Sequence, residues 1–270
     1  MIFNFVSKLS YYPQKVAECL DDKIKSSIST VFIDLVSGIC NHNCIFCDGK
    51  YNLLAKKSFS TERLLTLADE LKALNVDSII IVGEGGESTL HNGFCAFAKK
   101  LLSLGMHVGL YTNGETLNGE IAKTVADFDF VRISLDSGSD STHKIVHCSN
   151  TDIAFSKIVA QAKQFSKIKK GILGASFIVL NENVDEINAA SQICDECGFD
   201  FLELKPVYAP NYKFDLLMYE KLSTKIKRYY NEAVKNSKNI SIILNNQFKE
   251  WEKNDFLLNN LTRLDKPCIC

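Results

Sequence analysis

The sequence has little of what marks disordered, fibrous, membrane-spanning or secreted chains. Four prolines and 14 glycines among 270 residues exclude a low-complexity or collagen-like protein. No apolar run approaches the ~20 residues of a transmembrane helix. The N-terminus has no basic stretch ahead of a long apolar core, so a secretory signal is not expected. These absences predict a globular protein of the cytoplasm.

An excess of charge of either sign is also absent. Thirty-one basic residues stand against 32 acidic residues, which leaves a formal net charge of −1. This balance argues against nucleic acid or a membrane surface as the main partner. Hydrophobic residues make up 46% of the chain, and its length is sufficient for one large α/β core.

Cysteine, by contrast, is abundant, with ten residues. Because no secretory signal is expected, disulfides are not their expected purpose. Cys40, Cys44 and Cys47 form a C-x3-C-x2-C pattern, which predicts a metal centre. Cys194 and Cys197 lie in a predicted amphipathic helix, where we expect small buried hydrophobic side chains.

Strand-like and helix-like segments alternate in six steps, which predicts a parallel sheet connected by right-handed helical crossovers. A helix capped by Ser60 follows the first strand and carries leucines at helical spacing. The predicted strands are Val31–Val36, Ser78–Val82, His107–Tyr111, Phe130–Leu135, Gly171–Leu180 and Asp200–Leu204. The later helices between strands lie near 91–104, 118–127, 151–167 and 184–197.

The pattern changes after the sixth strand, to a long polar helix near 215–236 and a short strand at 240–244. We therefore expect a helical N-terminal segment (1–30), a barrel core (31–206) and a C-terminal extension (207–270).

The three clustered cysteines follow the first strand and can present three thiolates to one metal cluster. A 4Fe–4S cluster held by three cysteines leaves one iron open to a cofactor or substrate. The alternative is zinc, which takes four ligands in a closed structural site. His42 would then be the fourth ligand, although its position between the cysteines makes that geometry awkward.

This loop resembles that of the radical S-adenosylmethionine (radical SAM) superfamily, in which the residue before the third cysteine, here Phe46, is usually aromatic and lies beside the adenine. The resemblance covers about residues 31–206 and points to members similar to molybdopterin-precursor cyclases and to enzymes with SPASM-type extensions. It implies an α/β fold, a partial (β/α)6 TIM-like barrel with parallel strands and its active site at the carboxyl ends of the strands.

Two turns resemble SAM-binding motifs of the family. Gly85, Gly86 and Glu87 match its Gly-Gly-Glu-Pro motif, whose backbone and glutamate hold the SAM amino group. Glycines also let the backbone approach a ligand closely. Ser88 replaces the proline, which is expected to loosen the turn slightly. Thr112 and Asn113 match the Thr-Asn-Gly turn and are expected near the methionyl carboxylate and the substrate. Plain glycine turns are the alternative.

Two strand ends carry further candidates. Ser134 and Asp136 resemble the family's Ser-Leu-Asp end, with the serine expected at the ribose or carboxylate of SAM and the aspartate facing the substrate side. Strand alternation places Arg132 on the same face as both. Ser176 is a weaker cofactor-binding candidate in a strand whose backbone edges the adenine in relatives. A strand-end cap or a core strand is the alternative.

His143 and His147 lie four residues apart and would share one face of a helix. We expect them on the helix surface; a second metal site or substrate contact are the alternatives. Cys268 and Cys270 end the chain where relatives begin a cysteine-rich extension. The chain is therefore either C-terminally truncated or ends in two thiols without further partners, and we expect it to hold one cluster.

The resemblance implies an enzyme whose catalytic cluster is bound by Cys40, Cys44 and Cys47. One-electron reduction of bound SAM would give a 5′-deoxyadenosyl radical that abstracts a hydrogen atom from a second substrate. That substrate is a nucleoside, sugar or other small molecule, or a peptide, and the expected electron donor is a flavodoxin or ferredoxin. The alternative function is a non-catalytic iron–sulfur or zinc-binding barrel.

Overall fold

A computed structural model gives the strands and helices of the chain. The predicted N-terminal helical segment and the terminal Cys268 and Cys270 lie outside the residues that it describes, so these predictions stay untested. The described residues are 30–47, 56–207, 216–245 and Phe248. The strands are β1 (Thr30–Asp34), β2 (Val36–Ser37), β3 (Lys57–Ser58), β4 (Ser78–Val82), β5 (His107–Thr112), β6 (Phe130–Ser134), β7 (Ile172–Val179), β8 (Phe201–Pro206) and β9 (Ser241–Leu244). The α-helices are α1 (Thr61–Ala73), α2 (Phe94–Ser103), α3 (Gly119–Val125), α4 (Asp140–His147), α5 (Ala154–Phe165), α6 (Ile187–Cys197) and α7 (Leu216–Asn236).

Seven strands form one sheet in the order β1-β4-β5-β6-β7-β8-β9. Every neighbouring pair in it is parallel. Because the spatial order follows the chain order, each helical connection leads to the next position along the sheet. The predicted α/β fold with parallel strands is confirmed, and β9 extends the six predicted core strands by one. The short β2 and β3 pair with each other in antiparallel fashion beside the sheet.

The helices form where the sequence supplies caps and apolar spacing. Ser60 caps α1 as predicted, because its Oγ accepts the Arg63 N–H at 3.1 Å. Cys194 and Cys197 of α6 are buried in the main core, which confirms their expected packing role. Burial also raises the pKa of the Cys194 thiol. The prediction of one helix between β6 and β7 was incomplete, because α4 precedes α5 and begins at the cap Ser139.

Aromatic rings cover part of the inner face of the sheet, which is the face that the helices do not cover. Phe130 and Phe201 stack with their ring centroids 6.1 Å apart, and Tyr111 meets Phe130 edge-on at 5.8 Å. Gly174 makes room for this stack, since a Cβ there would lie 2.1 Å from a ring carbon of Phe201. These rings form the floor beneath the carboxyl ends of the strands.

Replacing Gly174 with alanine should lower the free energy of unfolding by about 1–3 kcal/mol, the usual cost of overpacking. Gly109 is the matched control, because a Cβ there would meet its nearest neighbour at 3.5 Å, an ordinary contact. Urea denaturation of Gly174→Ala and Gly109→Ala checks this. Adding Phe201→Leu to Gly174→Ala should restore part of the loss. Equal stabilities of the two alanine variants would contradict the close contact.

Candidate active site

The cysteine loop is tied by its backbone to the Gly-Gly-Glu turn that follows β4. The Gly38 N–H donates to the Gly85 carbonyl at 2.7 Å, and the Glu87 N–H donates to the Ile39 carbonyl at 2.8 Å. Gly86 permits this approach, because a Cβ there would lie 2.4 Å from the Ile39 oxygen. Two motifs that are distant in sequence thus lie side by side immediately before Cys40.

The other side of the loop is tied to the last turn of α4. The N–H groups of Asn43 and Ile45 donate to the carbonyls of His147 and Val146, both at 2.9 Å. The last carbonyls of a helix have no partner within the helix, so the loop satisfies groups that would otherwise need water or a cap. The end of α4 is therefore part of the site, which sequence reasoning did not anticipate.

The three thiols are free and at least partly accessible. The His42 N–H donates to the Cys40 sulfur at 3.4 Å. Burial raises the pKa of Cys40 to about 11. This hydrogen bond opposes the rise in pKa, and the negative charges of Glu87, Cys44 and Cys47 add to it. Three cysteine sulfurs in one loop, which lose their protons when they bind metal, are the donor set that an iron–sulfur cluster takes. The residues present therefore fit a cationic cluster.

The Glu87 carboxylate is buried and joins the end of β4 to the end of β5. Its Oε1 accepts the Thr89 N–H at 3.2 Å, the Thr89 hydroxyl at 2.6 Å and the Thr112 hydroxyl at 2.9 Å. Its Oε2 accepts the Asn113 N–H at 2.8 Å. A carboxylate has about four acceptor positions, two on each oxygen. Oε2 thus keeps capacity for one further donor, so the prediction that Glu87 contacts the SAM ammonium stays open.

The expectation that Ser88 loosens the turn is wrong. Its hydroxyl is fully buried, donates to the Val82 carbonyl and accepts the Leu35 N–H at 3.1 Å. The side chain therefore ties the ends of β1 and β4 together. A proline could not make either bond.

A polar network that sequence reasoning missed lies beside the cysteine loop. The Asn113 amide donates to Asn41 Oδ1 at 2.7 Å, and Asn41 Nδ2 donates to Glu115 Oε2 at 2.5 Å. The same Glu115 oxygen lies 3.0 Å from His42 Nε2, and Lys157 Nζ lies 3.3 Å from its other oxygen. The sequence feature that could have indicated this network is Glu115, a carboxylate directly after the Thr-Asn-Gly turn.

The strand-end candidates separate into two groups. Ser134 is the last residue of β6, and its register partner Ser176 lies in the middle of β7. Asp136 lies beyond the end of β6 with φ 50°, so strand alternation does not extend to it. Its placement on one face with Arg132 is therefore wrong. Asp136 is fully buried, and its Oδ1 accepts the Ile178 N–H at 2.5 Å.

The expected surface position of His143 and His147 is also wrong, because both side chains are buried. Their rings stack at 4.3 Å, and His42 lies 5.4 and 5.3 Å from them. The cysteine loop covers this face of α4, which explains the burial. Burial and the neighbouring charges of His147 and His42 lower the pKa of His143 to about 3.

His147 stands between a thiol and a carboxylate. Its Nδ1 lies 3.0 Å from the Cys44 sulfur, and its Nε2 lies 3.3 Å from Asp136 Oδ2. Burial opposes the charge of His147, but Cys44 and Asp136 outweigh it and raise its pKa to about 10. Burial likewise opposes ionisation of Cys44, but His147 and His42 outweigh it and lower the Cys44 pKa to about 6. The two opposite shifts favour a thiolate at Cys44 beside an imidazolium at His147.

Phe46 packs edge-on to the His147 ring, with centroids 5.7 Å apart. It also joins a small apolar cluster of Val146, Leu180 and Val207, separate from the main core. This packing fixes the loop between its second and third cysteines. Its predicted contact with adenine stays a prediction.

The inner face of the sheet carries charged groups above its aromatic floor. The Arg132 guanidinium lies 3.7 Å from the Tyr111 ring centroid and 3.4 Å from the Glu203 carboxylate. Glu203 also accepts a hydrogen bond from Asn245 at 3.0 Å. Arg132 lies on the same face of β6 as Ser134, because alternate residues of a strand share a face.

Comparison with known families matches the radical SAM superfamily over residues 35–192, more than half of the chain. A curated S-adenosylmethionine-dependent nucleotide dehydratase from Flammeovirga pacifica is 32% identical over 120 residues, which are 42% of this chain and 41% of that protein. Pre-heme d1 synthase from Dinoroseobacter shibae is 27% identical over 60% of this chain and 39% of its own. The chain thus spans well under half of these relatives.

Solved structures share the fold. SuiB of Streptococcus suis bound to S-adenosylmethionine aligns with a TM-score of 0.63 and 16% identity, over 91% of this chain and 54% of SuiB. The protein anSMEcpe with bound AdoMet aligns with a TM-score of 0.62 and 22% identity, over 79% and 64% of the two chains. The predicted partial TIM-like barrel is confirmed. In the described part of this chain, every helix is too short or too polar to cross a bilayer.

Proposed function

Because the chain belongs to the radical SAM superfamily, whose cofactors are a 4Fe–4S cluster and SAM, we propose that Cys40, Cys44 and Cys47 hold the cluster. When bound, the cluster and SAM supply a reductive cleavage that yields methionine and a 5′-deoxyadenosyl radical, which takes a hydrogen atom from a substrate. The residues of this chain bind and orient these groups.

The observation that carries the proposal is the backbone pairing of the cysteine loop with the Gly-Gly-Glu turn. The pairing supports the proposal because the loop with the three cysteines and the turn with Glu87 are neighbours through the Gly38–Gly85 and Ile39–Glu87 hydrogen bonds. A cluster with one open iron needs such a neighbour, because its fourth position is filled by the cofactor. Close backbone approach at Gly86 supports a fixed distance between the two sites.

The SAM contacts are assigned by position along the strand ends. The backbone of Gly85 and Gly86 and the free acceptor position of Glu87 receive the ammonium group. Thr112 and Asn113 contact the methionyl carboxylate. The Thr112 hydroxyl also donates to Glu87, and the Asn113 side-chain amide also donates to Asn41. Ser134 lies at the ribose. Phe46 and Ser176 edge the adenine.

Asp136 acts indirectly in this proposal. It is a positioning residue that orients His147 behind Cys44 and holds the Ile178 N–H of β7. It therefore connects the cluster loop with the strand that edges the cofactor. Its burial leaves the substrate contacts to the inner face, where Arg132 and Glu203 offer opposite charges.

The second substrate is a small molecule or a peptide. Relatives are named for acting on a nucleotide and for making pre-heme d1, and SuiB has been solved with its precursor peptide SuiA. A flavodoxin or ferredoxin supplies the electron. Residues 31–206 form the catalytic core, and 207–270 begin the region that carries additional clusters in enzymes with SPASM-type extensions.

The test is SAM cleavage by the anaerobically reconstituted chain. With SAM and dithionite, the chain should release 5′-deoxyadenosine, and a Cys44→Ala variant should release none. SAM binding is measured separately by equilibrium dialysis. A full cluster with bound SAM but no 5′-deoxyadenosine would support the non-catalytic iron–sulfur alternative and would contradict this proposal.

A further inference from the structure

A second donor set overlaps the cysteine loop. His42, Cys44 and His147 each offer one ligand atom, and these three atoms lie within 4.8 Å of one another. Two imidazole nitrogens and one thiolate are ligands that Zn²⁺ prefers, and three protein ligands with an open fourth position are a common zinc arrangement. The set uses only one of the three clustered cysteines.

Each histidine of this set rests against a carboxylate through its Nε2. His147 Nε2 lies 3.3 Å from Asp136 Oδ2, and His42 Nε2 lies 3.0 Å from Glu115 Oε2. Metal-binding histidines almost always have such a partner on the nitrogen that does not bind the metal, which fixes the tautomer and the ring orientation. The hydrogen bond to Glu115 holds His42 with Nδ1 as the ligand atom. His147 Nε2 lies near Asp136 without hydrogen-bond geometry, and its Nδ1 faces the Cys44 sulfur at 3.0 Å.

His42 Nδ1 supports the same arrangement. It is buried and has no partner with hydrogen-bond geometry among the residues that the structure describes. A buried polar atom without a partner is destabilising, so it requires an explanation. A metal ion beside Cys44 would give this nitrogen its missing partner.

We propose that His42, Cys44 and His147 bind one divalent transition-metal ion, best satisfied by zinc, when the cluster is absent. Water supplies the fourth ligand. This site differs from a zinc site built on the three cysteines, because Cys40 and Cys47 take no part in it. If Cys44 is also a cluster ligand, which rests on the proposed function, the two metal states exclude each other.

The test uses the full chain freed of metal by chelation and titrated with Co²⁺, whose thiolate charge-transfer band reports a Co–S bond. The parent and the Cys40→Ser/Cys47→Ser variant should each bind one Co²⁺ per chain, displaced by Zn²⁺. His42→Ala and Cys44→Ser should lose the band. Glu115→Gln, which leaves all ligands in place, should bind about 10–100-fold more weakly.

His143→Ala is the matched control, because His143 is equally buried but its Nδ1 contacts Ser137. Its Co²⁺ affinity should stay near that of the parent. Loss of binding in Cys40→Ser/Cys47→Ser, with parent-like binding in His42→Ala and Glu115→Gln, would overturn the proposal. Circular dichroism shows whether each variant folds. If His42→Ala does not fold, a parent-like Co²⁺ affinity of Glu115→Gln is by itself enough to overturn the proposal.

A second measurement tests the competition. Zn²⁺ bound before reconstitution should slow iron uptake by the parent, and His42→Ala should remove this delay. If the chain binds Co²⁺ as expected but takes up iron equally fast with and without bound Zn²⁺, Cys44 is not a ligand shared by the two sites. The failure of the proposed cluster assignment is therefore distinguishable from failure of the metal site.

Discussion

Replacing Cys44 with alanine should abolish cluster binding, so that the about four irons expected per reconstituted chain fall to background. Cys44 is the middle ligand of the proposed set, and the cysteine loop around it is tied on both sides, to the Gly-Gly-Glu turn and to the end of α4. Two remaining thiols in a fixed loop cannot hold a cluster that needs three. Iron content and the visible absorbance of the cluster measure the effect.

Cys95→Ala is the control for this experiment. Cys95 is a free, half-buried cysteine of α2, away from the loop, and its variant should keep the iron content of the parent. A Cys44→Ala chain that still takes up a full cluster would refute the ligand assignment. Stable zinc in the parent without iron uptake, if it is lost in the Cys40→Ser/Cys47→Ser variant, would support the alternative in which the three cysteines and His42 hold zinc.

The second large effect is expected at Glu87. Glu87→Ala should weaken SAM binding about tenfold to more than a hundredfold, because a charge-assisted hydrogen bond contributes about 1.5–3 kcal/mol. The same change leaves the buried N–H groups of Thr89 and Asn113 without their acceptor. We therefore also expect the free energy of unfolding to fall by about 2–5 kcal/mol. Calorimetric titration of the reconstituted chain and urea denaturation measure the two effects.

Thr112→Val separates the two roles of Glu87. It removes one neutral hydroxyl donor to the carboxylate but keeps the negative charge. Stability should fall by only about 1 kcal/mol, and SAM affinity should fall less than in Glu87→Ala, because the negative charge proposed to receive the ammonium group stays in place. If Glu87→Ala loses stability while its SAM affinity matches the parent, the carboxylate is a structural tie between β4 and β5 and has no contact with the cofactor.

The sequence predicted those parts of the molecule that local patterns determine. Apolar runs and cap residues such as Ser60 mark strands and helices within a few residues. The strand-end motifs could be placed together because parallel strands end at one edge of a sheet, so that Glu87 and Thr112 had to be neighbours. Cys194 and Cys197 were correctly assigned to the core because helical spacing alone puts them on one face.

What the sequence could not show depends on contacts between distant segments. Cys44 and His147 lie 103 positions apart, and the burial of α4 follows only when the cysteine loop covers it. Ser88 bonds a residue 53 positions away, so its tightening effect was not visible in the motif. Asp136 lies beyond the end of β6 and has a left-handed backbone conformation, so the alternation of side chains along the strand does not predict where its side chain lies.

The contact between Gly174 and Phe201 has a consequence for how such chains diverge. A side chain at position 174 is destabilising while an aromatic ring occupies position 201, since the two would overlap unless the ring moves. Loss of the ring before the glycine changes avoids this cost, which favours one order of mutations. Across homologous sequences the two positions should therefore covary, with glycine at 174 wherever 201 is aromatic.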